Sequence, residues 1–172
     1  LLKLKRYAEA VADLEPLLES DNEDLANSAR RMIGLANLEM GREREAIEDY
    51  TALVQSSTDP RERVDNMIVL SELYYSLENF AKVEEICRQI IAMDFPDVKT
   101  ELPYFLKEKA YFLLGDTFNQ RNDFNSLIAI YREAVAQYPN SYYSADMNFA
   151  LGQVLFEKED LVATVDVFTT YL

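Results

Sequence analysis

Three of the four glycines in this 172-residue chain share one sequence setting, and that setting strongly constrains the fold. Gly34, Gly115 and Gly152 each follow an apolar residue in the middle of a long helix-forming stretch. Glycine inside a helix costs about 1 kcal/mol relative to alanine. A costly residue that recurs in one setting indicates that another helix packs closely against each of these glycines.

Two further positions recur along the chain with the same spacings as the small-residue position, namely 37, 44 and 37 residues. The small-residue position is occupied by Gly34, Ser71, Gly115 and Gly152. A position in the following segment is occupied by Ala10, Ala46, Val83, Leu127 and Thr164. Four residues later, an aromatic position is occupied by Leu14, Tyr50, Cys87, Tyr131 and Phe168. Three positions that share one irregular spacing predict a repeat protein.

Each repeat reads as two helices joined by a short turn. In the fourth repeat, apolar residues recur at helical spacing over 103–118 and again over 124–135. Arg121-Asn122-Asp123 predicts the turn between these helices, and Tyr138-Pro139 ends the second one. Ser141 is the predicted N-cap of the next helix, because a serine side chain can accept a hydrogen bond from a free backbone N–H.

This pattern resembles the tetratricopeptide repeat, a helix-turn-helix unit of about 34 residues. The resemblance is carried by Leu114-Gly115, Phe118, Asp123-Phe124, Leu127, Tyr131, Ala134 and Tyr138-Pro139, with matching residues in the second and fifth repeats. It implies an all-α fold, a right-handed α-α superhelix (TPR solenoid) of antiparallel helix pairs. The third repeat departs from the pattern, with Ser71, Val83 and Cys87 at the three repeating positions.

The register predicts a single array over residues 1–172. Its repeats are a partial one at 1–21 and complete or nearly complete ones at 22–58, 59–96, 102–139 and 140–172. Repeat arrays need capped ends, and neither end carries a cap, so we expect a piece of a longer array, truncated at both ends. Residues 1–5 are expected to be the last turn of a preceding helix. The insertion at 94–103 predicts a longer loop or an extended following helix.

The charge of the chain disfavours several classes of partner. The net charge is −14, from 17 basic and 31 acidic residues. Nucleic-acid binding needs clustered Lys and Arg, and an anionic membrane surface attracts basic segments. No apolar run is long enough to span a bilayer. We therefore expect a protein partner, with no nucleic acid and no membrane insertion by this segment.

The residues for common catalytic and metal sites are missing from the sequence. There is no histidine and only one cysteine, Cys87, whose position predicts a core residue. The sequence therefore gives no reason to expect catalysis by a histidine, a zinc site built from cysteines or a glycine-rich phosphate-binding loop. Paired carboxylates such as Glu84-Glu85 are best explained as solvated surface. We expect no enzyme and no cofactor or metal.

The first helix of each pair predicts a partner groove, because first helices line the concave side of such a solenoid. The groove residues point away from the glycine contact: Arg31, Leu35, Leu38, Glu39, Ile68, Glu72, Tyr75, Lys109, Phe112, Asp116, Asn119, Asp146, Phe149, Gln153 and Phe156. Phe112 and Phe149 are expected to form an aromatic row, with Tyr75 and Phe156 nearby. Alternatively, these rings pack between adjacent first helices.

The sequence thus favours a non-catalytic scaffold that holds a protein or peptide in the groove. Because the groove is acidic apart from Arg31 and Lys109, a basic or apolar segment suits it better than a terminal carboxylate. Alternatives are a structural spacer, self-association through the open solenoid ends, or the recruiting domain of a larger enzyme. Residues 138–152 are also similar to repeats of bacterial envelope proteins, namely outer-membrane assembly lipoproteins and Tol–Pal coordination proteins, which favours a bacterial periplasmic location.

Overall fold

The structure, a computed structural model, describes residues 2–93 and 102–171, and most of the predicted insertion at 94–103 lies outside them. The described residues form nine α-helices and one short 3₁₀ helix, with no strand. The helices are α1 (Leu2–Leu14), the 3₁₀ helix (Glu15–Glu19), α2 (Glu23–Glu39), α3 (Glu43–Ser56), α4 (Pro60–Ser76), α5 (Phe80–Ala92), α6 (Leu102–Gln120), α7 (Phe124–Gln137), α8 (Ser144–Glu157) and α9 (Leu161–Tyr171).

The chain divides into two compact units, unit 1 (Leu1–Leu73) and unit 2 (Tyr74–Leu172). In unit 1, α2 packs against α1 and α3. In unit 2, α6 packs against α5 and α7, while α8 packs against α7 and α9. The all-α fold of helix pairs is therefore confirmed, whereas the interpretation of residues 1–172 as one array stays a prediction.

Side-chain contacts within a pair establish that its helices are antiparallel. Asn27, near the start of α2, accepts a hydrogen bond at its Oδ1 atom from Oγ of Ser56, the last residue of α3, at 2.8 Å. Asn37, near the end of α2, donates a hydrogen bond from Nδ2 to Oδ2 of Asp49, in the first half of α3, at 3.0 Å. Residues later in α2 thus contact residues earlier in α3, as an antiparallel pair requires.

The predicted close approach of helices at the glycines is confirmed, and the neighbour at each is the aromatic position of the same repeat. Gly115 lies so close to Tyr131 that an added Cβ would be under 3.0 Å from three atoms of the ring. Gly152 stands in the same relation to Phe168. At Gly34 the added Cβ would be 3.1 Å from Tyr50 Cε2. Glycine is therefore needed because an aromatic ring occupies the space of its missing side chain.

The third repeat, which lacks this glycine, buries the residues at both positions. Ser71 is fully buried, and its Oγ donates to the Ile68 carbonyl oxygen at 2.8 Å. Cys87 is also fully buried, as predicted for a core cysteine. A helical serine can satisfy its hydroxyl on the preceding turn in this way, so a buried Ser71 leaves no unpaired hydroxyl.

The turn inside each pair uses one backbone motif that the sequence analysis missed. One residue per turn has a positive φ, namely Gly41 (70°), Glu78 (56°), Asn122 (56°) and Glu159 (61°), and these residues follow the spacing of the repeat. The N–H of the next residue donates back five residues, as from Asp160 to the Leu155 carbonyl at 3.0 Å. This is the Schellman motif, in which a left-handed residue ends a helix.

Two local expectations are wrong. α1 runs without a break from Leu2 to Leu14, so residues 2–5 are not the end of a separate helix; this stretch contains no proline or glycine that would end one. Ser141 is not an N-cap, because α8 begins at Ser144 with Tyr143 at its N-cap. The Ser141 Oγ instead accepts from the Tyr143 N–H at 3.1 Å and donates to Glu108 Oε2 at 2.6 Å.

Gly115→Ala tests the close contact with Tyr131. Its Cβ would meet a ring that is almost fully buried and whose hydroxyl donates to the Phe112 carbonyl at 3.1 Å, so the ring has little freedom to move. Overpacking costs about 1–3 kcal/mol, of which the better helix propensity of alanine offsets about 1 kcal/mol. We expect a net loss of stability, measured by urea denaturation followed by circular dichroism.

Gly34→Ala is the matched control, since its Cβ would come no nearer than 3.1 Å to the Tyr50 ring. A shift of a few tenths of an ångström relieves that contact, so we expect a clearly smaller loss or a gain. Equal stability of Gly115→Ala and the unmodified chain would contradict the close-contact account.

Glu159→Gly is expected to stabilise the chain. A non-glycine residue in the left-handed region costs about 1–2 kcal/mol, and the greater freedom of glycine in the unfolded state offsets part of the gain. We expect a net gain of about 0.5–1 kcal/mol, measured by thermal melting. Asn122→Gly is the control and should gain less, because asparagine tolerates this conformation. A loss of stability in Glu159→Gly would contradict the assigned turn.

Candidate protein-interaction surface

Helix α8 is apolar on its buried face, and large aromatic rings also lie on its exposed side. Its buried face is formed by Ser144, Met147, Leu151, Gly152, Val154 and Leu155. The opposite side carries Phe149, which is 58% exposed, and Phe156, which is 62% exposed. Tyr142, just before the helix, is 79% exposed. We call Tyr142, Phe149 and Phe156 the α8 ridge.

Polar side chains separate the rings of the α8 ridge. Its three residues are seven positions apart, and the exposed Asp146 and Gln153 lie between them. Residues spaced four and three apart share one face of a helix, so Phe149, Phe156 and the two polar residues form one stripe along α8, while Tyr142 lies in the turn before the helix. Side chains of this size are normally buried, and an exposed apolar stripe is typical of a surface that binds another molecule.

A second group of rings joins α6 to the start of α8 and is centred on Tyr143, the N-cap residue of α8. The Tyr143 ring stacks on Phe112, with centroids 5.0 Å apart and planes inclined by 22°. It also contacts Phe105, with centroids 5.6 Å apart, and Tyr142 at 5.3 Å with the rings edge to face. The α8 ridge therefore adjoins, at Tyr142, a cluster of stacked rings that reaches α6.

Tyr75 and Asp116, both predicted groove residues, are paired with each other. The Tyr75 hydroxyl donates to Asp116 Oδ2, and its ring meets Phe80 edge to face at 5.7 Å. Burial, together with this hydrogen bond, raises the pKa of Tyr75 to about 12. The phenol thus stays neutral in the physiological pH range, and the pair fixes the end of α4 to α6.

The remaining predicted groove residues differ in their exposure. In unit 2, Asn119 is exposed, whereas Lys109 and Phe112 are partly buried. In unit 1, Leu35 and Glu39 are exposed and Leu38 is partly buried. Glu72, on α4, is exposed. The guanidinium of Arg31 is paired with the Glu62 carboxylate of α4.

Ile68 was wrongly placed in the groove. Its side chain is only 3% exposed, because it lies on the buried side of α4 with Val64 and Met67. Ile68 occupies the same position in its repeat as Phe112 and Phe149 do in theirs. Equivalent positions therefore range from buried, at Ile68, to largely exposed, at Phe149. Register alone does not determine burial, since that also depends on the neighbouring side chains.

Sequence reasoning missed Tyr142 and Tyr143, as well as the exposed Met32 on α2. The register did contain a signal for one of them. Tyr142 and Phe105 are 37 residues apart and each precedes a predicted groove phenylalanine by seven. Tyr143 carried no such signal, because its stacking on Phe112 depends on where α8 begins.

The described residues hold no group of three or more His, Cys, Asp or Glu side chains that could bind a metal. Within the same part of the chain, every helix is too short or too polar to cross a membrane. The features that stand out in the described residues are thus the exposed rings.

Two protein-family models match the chain, and both are described as tetratricopeptide repeat. One covers residues 1–60 and the other residues 109–141. A search of curated proteins finds no match. A solved structure described as "MamA RS-1 ArsTM double mutant" is similar over 99% of this chain and 85% of its own, with a TM-score of 0.67 at 15% identity. At that identity the likeness shows the fold alone.

The repeat register, the helix pairs and both family matches all indicate the tetratricopeptide repeat. Tetratricopeptide repeats generally mediate protein–protein interaction and are typically non-catalytic scaffolds. The described residues have the structural features of this repeat, namely the glycine contacts, the turns and the short second helices. The chain is a tetratricopeptide-repeat protein.

Proposed function

We propose that this protein is a non-catalytic scaffold that binds a protein or peptide segment on the first-helix surface of unit 2. This surface is formed by α6 and α8 and includes the predicted groove residues Phe112, Phe149, Gln153 and Phe156. The exposure of the α8 ridge carries the proposal. Three large rings in solvent cost free energy that burial against a partner would recover, at about 25 cal/mol per Å² of apolar surface.

The charge of the chain supports a basic or apolar partner. Helix α8 carries Asp146 and Glu157 and has no Lys or Arg over Ser144–Glu157, while α6 carries Lys107 and Lys109 beside Glu108 and Asp116. The chain as a whole has a net charge of −14, which favours encounter with cationic partners. Among the predicted groove cations, Arg31 of unit 1 is not free to clamp a terminal carboxylate, because its guanidinium is paired with Glu62.

A bacterial envelope location stays a prediction from residues 138–152. It would place the partner among periplasmic or membrane-associated proteins. A role as the recruiting domain of a larger enzyme likewise stays a prediction. The proposed surface would serve in either setting.

Replacing both Phe149 and Phe156 with alanine tests the proposed surface. Interface hot spots are enriched in large aromatic residues, and truncating one costs about 2 kcal/mol or more. We expect the double variant to lose proteins that the unmodified chain retains in a quantitative affinity capture from its native extract. Its melting temperature should be nearly unchanged, since both side chains are largely exposed.

Leu25→Ala is the control, because Leu25 is an apolar residue of α2 that is 43% exposed. It should retain the captured proteins. If the double phenylalanine variant captures the same proteins in the same amounts as the unmodified chain, the surface is wrongly assigned.

A second candidate function is self-association, and a feature of α9 favours it. Leu161, Val162 and Val165 are all well exposed on this helix. The equivalent residues of α7, such as Phe124 and Ile128, are less exposed, and α7 packs against α8. An apolar helix face of this kind is a candidate contact between two copies of the chain.

Leu161→Lys combined with Val165→Lys tests self-association. If copies associate through α9, multi-angle light scattering of the unmodified chain should give a mass that rises with concentration, and the lysine variant should remain a monomer. The cause would be the cost of desolvating two charges in the contact. A strictly monomeric unmodified chain at high concentration would exclude this candidate.

A further inference from the structure

A cavity of about 330 Å³ opens between α7, α8 and α9, and no residue of the α8 ridge lines it. Its apolar lining is formed by Val135 and Ala136 of α7, Leu151 of α8, and Ala163 and Val167 of α9. The volume is about twice that of an apolar cavity that holds benzene. The cavity is therefore large enough for one aromatic ring and the group that carries it.

The cavity lies where the preceding repeat has a tyrosine. Asn148, which lines it, and Tyr111 are 37 residues apart, and each lies four residues before the glycine of its repeat. The Tyr111 side chain is only 1% exposed, and its hydroxyl donates to Glu133 Oε1 of α7 at 2.6 Å. The Asn148 side chain is much smaller, and its Nδ2 atom donates to the Ser144 carbonyl of its own helix at 2.8 Å. Asparagine therefore leaves unfilled the space that a tyrosine occupies one repeat earlier.

Burial on the second helices agrees with this comparison. Ile130 of α7, in the repeat that has the tyrosine, is 8% exposed. Its equivalent in the next repeat is Val167 of α9, which is only partly buried and lines the cavity. Covering apolar surface of this kind is favourable. A phenol ring placed as in Tyr111 would complete the burial of Val167.

The charged residues of the lining favour a neutral ligand. Arg132 of α7 and Asp166 of α9 are both exposed and carry opposite charges. An anionic substituent on the ring would be attracted by Arg132 and repelled by Asp166, and a cationic substituent would meet the reverse. A phenol hydroxyl is neutral, and it can donate to a carboxylate while it accepts from a guanidinium. A phenol thus suits both residues at once.

We propose that the cavity between α7, α8 and α9 binds a tyrosine side chain of a partner protein, whose phenol ring takes the place that Tyr111 has in the fourth repeat. The volume left beside the ring accommodates the atoms that join the ring to a peptide backbone. Tyrosine suits such a contact because it supplies a large rigid ring and loses little conformational freedom. The site is separate from the α8 ridge, and it does not depend on the proposed function.

Nuclear magnetic resonance of the full 172-residue chain with carbon-13-labelled methyl groups tests the site. The probe is N-acetyltyrosine N-methylamide, an uncharged tyrosine with peptide-like ends. We expect saturable ring-current shifts of the methyl groups of Val135, Leu151 and Val167, with a dissociation constant on the order of 1 mM. N-acetylleucine N-methylamide should bind about fivefold more weakly, because it offers less apolar area and no hydroxyl.

Asn148→Tyr fills the cavity with the chain's own phenol ring, as in the fourth repeat. This variant should show no saturable shifts with the tyrosine probe, and it should melt at or above the temperature of the unmodified chain because a cavity has been filled. Leu25→Ala on α2 is the control and should bind the probe like the unmodified chain. A folded Asn148→Tyr variant with undiminished affinity would overturn the site.

Charge selectivity provides a second test through exposed residues, whose replacement leaves the core unchanged. The unmodified chain should bind 4-methylphenol more tightly than 4-methylbenzoate or protonated 4-methylbenzylamine. Asp166→Asn should strengthen binding of the benzoate about threefold, and Arg132→Gln should do the same for the ammonium ion, with both gains reduced at high salt. If the unmodified chain binds either ion more tightly than the phenol, the neutral phenol is the wrong ligand.

The outcomes are distinct from those that test the proposed function. Asn148→Tyr should retain the proteins captured through the α8 ridge. Binding of 4-methylphenol without binding of N-acetyltyrosine N-methylamide would overturn the protein side chain as the ligand. Unshifted methyl groups at Val135, Leu151 and Val167 with every probe would overturn the site itself, whatever the ridge binds.

Discussion

The fold depends on the contact between a glycine of one helix and an aromatic ring of the next. Gly115 with Tyr131 and Gly152 with Phe168 have no room for even a methyl group between them. The contact fixes the distance between the two helix axes of a pair and the relative register of the helices. A helix interior is an unfavourable place for glycine, so this packing must offset about 1 kcal/mol per repeat. The same contact recurs, slightly looser, between Gly34 and Tyr50.

The close approach inside a pair also determines which side of a first helix is left for a partner. In α8, Gly152 and Leu151 are on the buried side, and the ring-bearing stripe of Phe149 and Phe156 is on the other. The start of α8 is held to α6 by the Ser141–Glu108 hydrogen bond and by the stacking of Tyr143 on Phe112. Rings outside the core are thus presented by a rigid element rather than by a loop, which limits the entropy lost on binding.

Much of the fold could be predicted from the sequence, because the glycine and aromatic positions keep one spacing through an irregular insertion. That spacing predicted the helix pairs, the turns and the buried Cys87, and all of these are present in the structure. The left-handed turn residues were missed, because Glu78 and Glu159 are poor sequence markers for a conformation that usually selects glycine. The start of α8 was misplaced, because Ser141 makes turn contacts three residues ahead of the helix.

The candidate surface was predicted less completely, and the reason is physical. Helical spacing gives the direction of a side chain but not the size of its neighbours, so Ile68 is buried where Phe149 is exposed. Tyr143 was missed because its stacking partners come from another helix.

The most direct measurement of the central contact is a nuclear Overhauser spectrum of the folded chain. The account predicts strong cross-peaks between the Hα protons of Gly115 and the ring protons of Tyr131, together with a ring-current shift of those Hα resonances. Cross-peaks from the Gly115 protons to solvent-exposed side chains only, with unshifted Hα resonances, would contradict it.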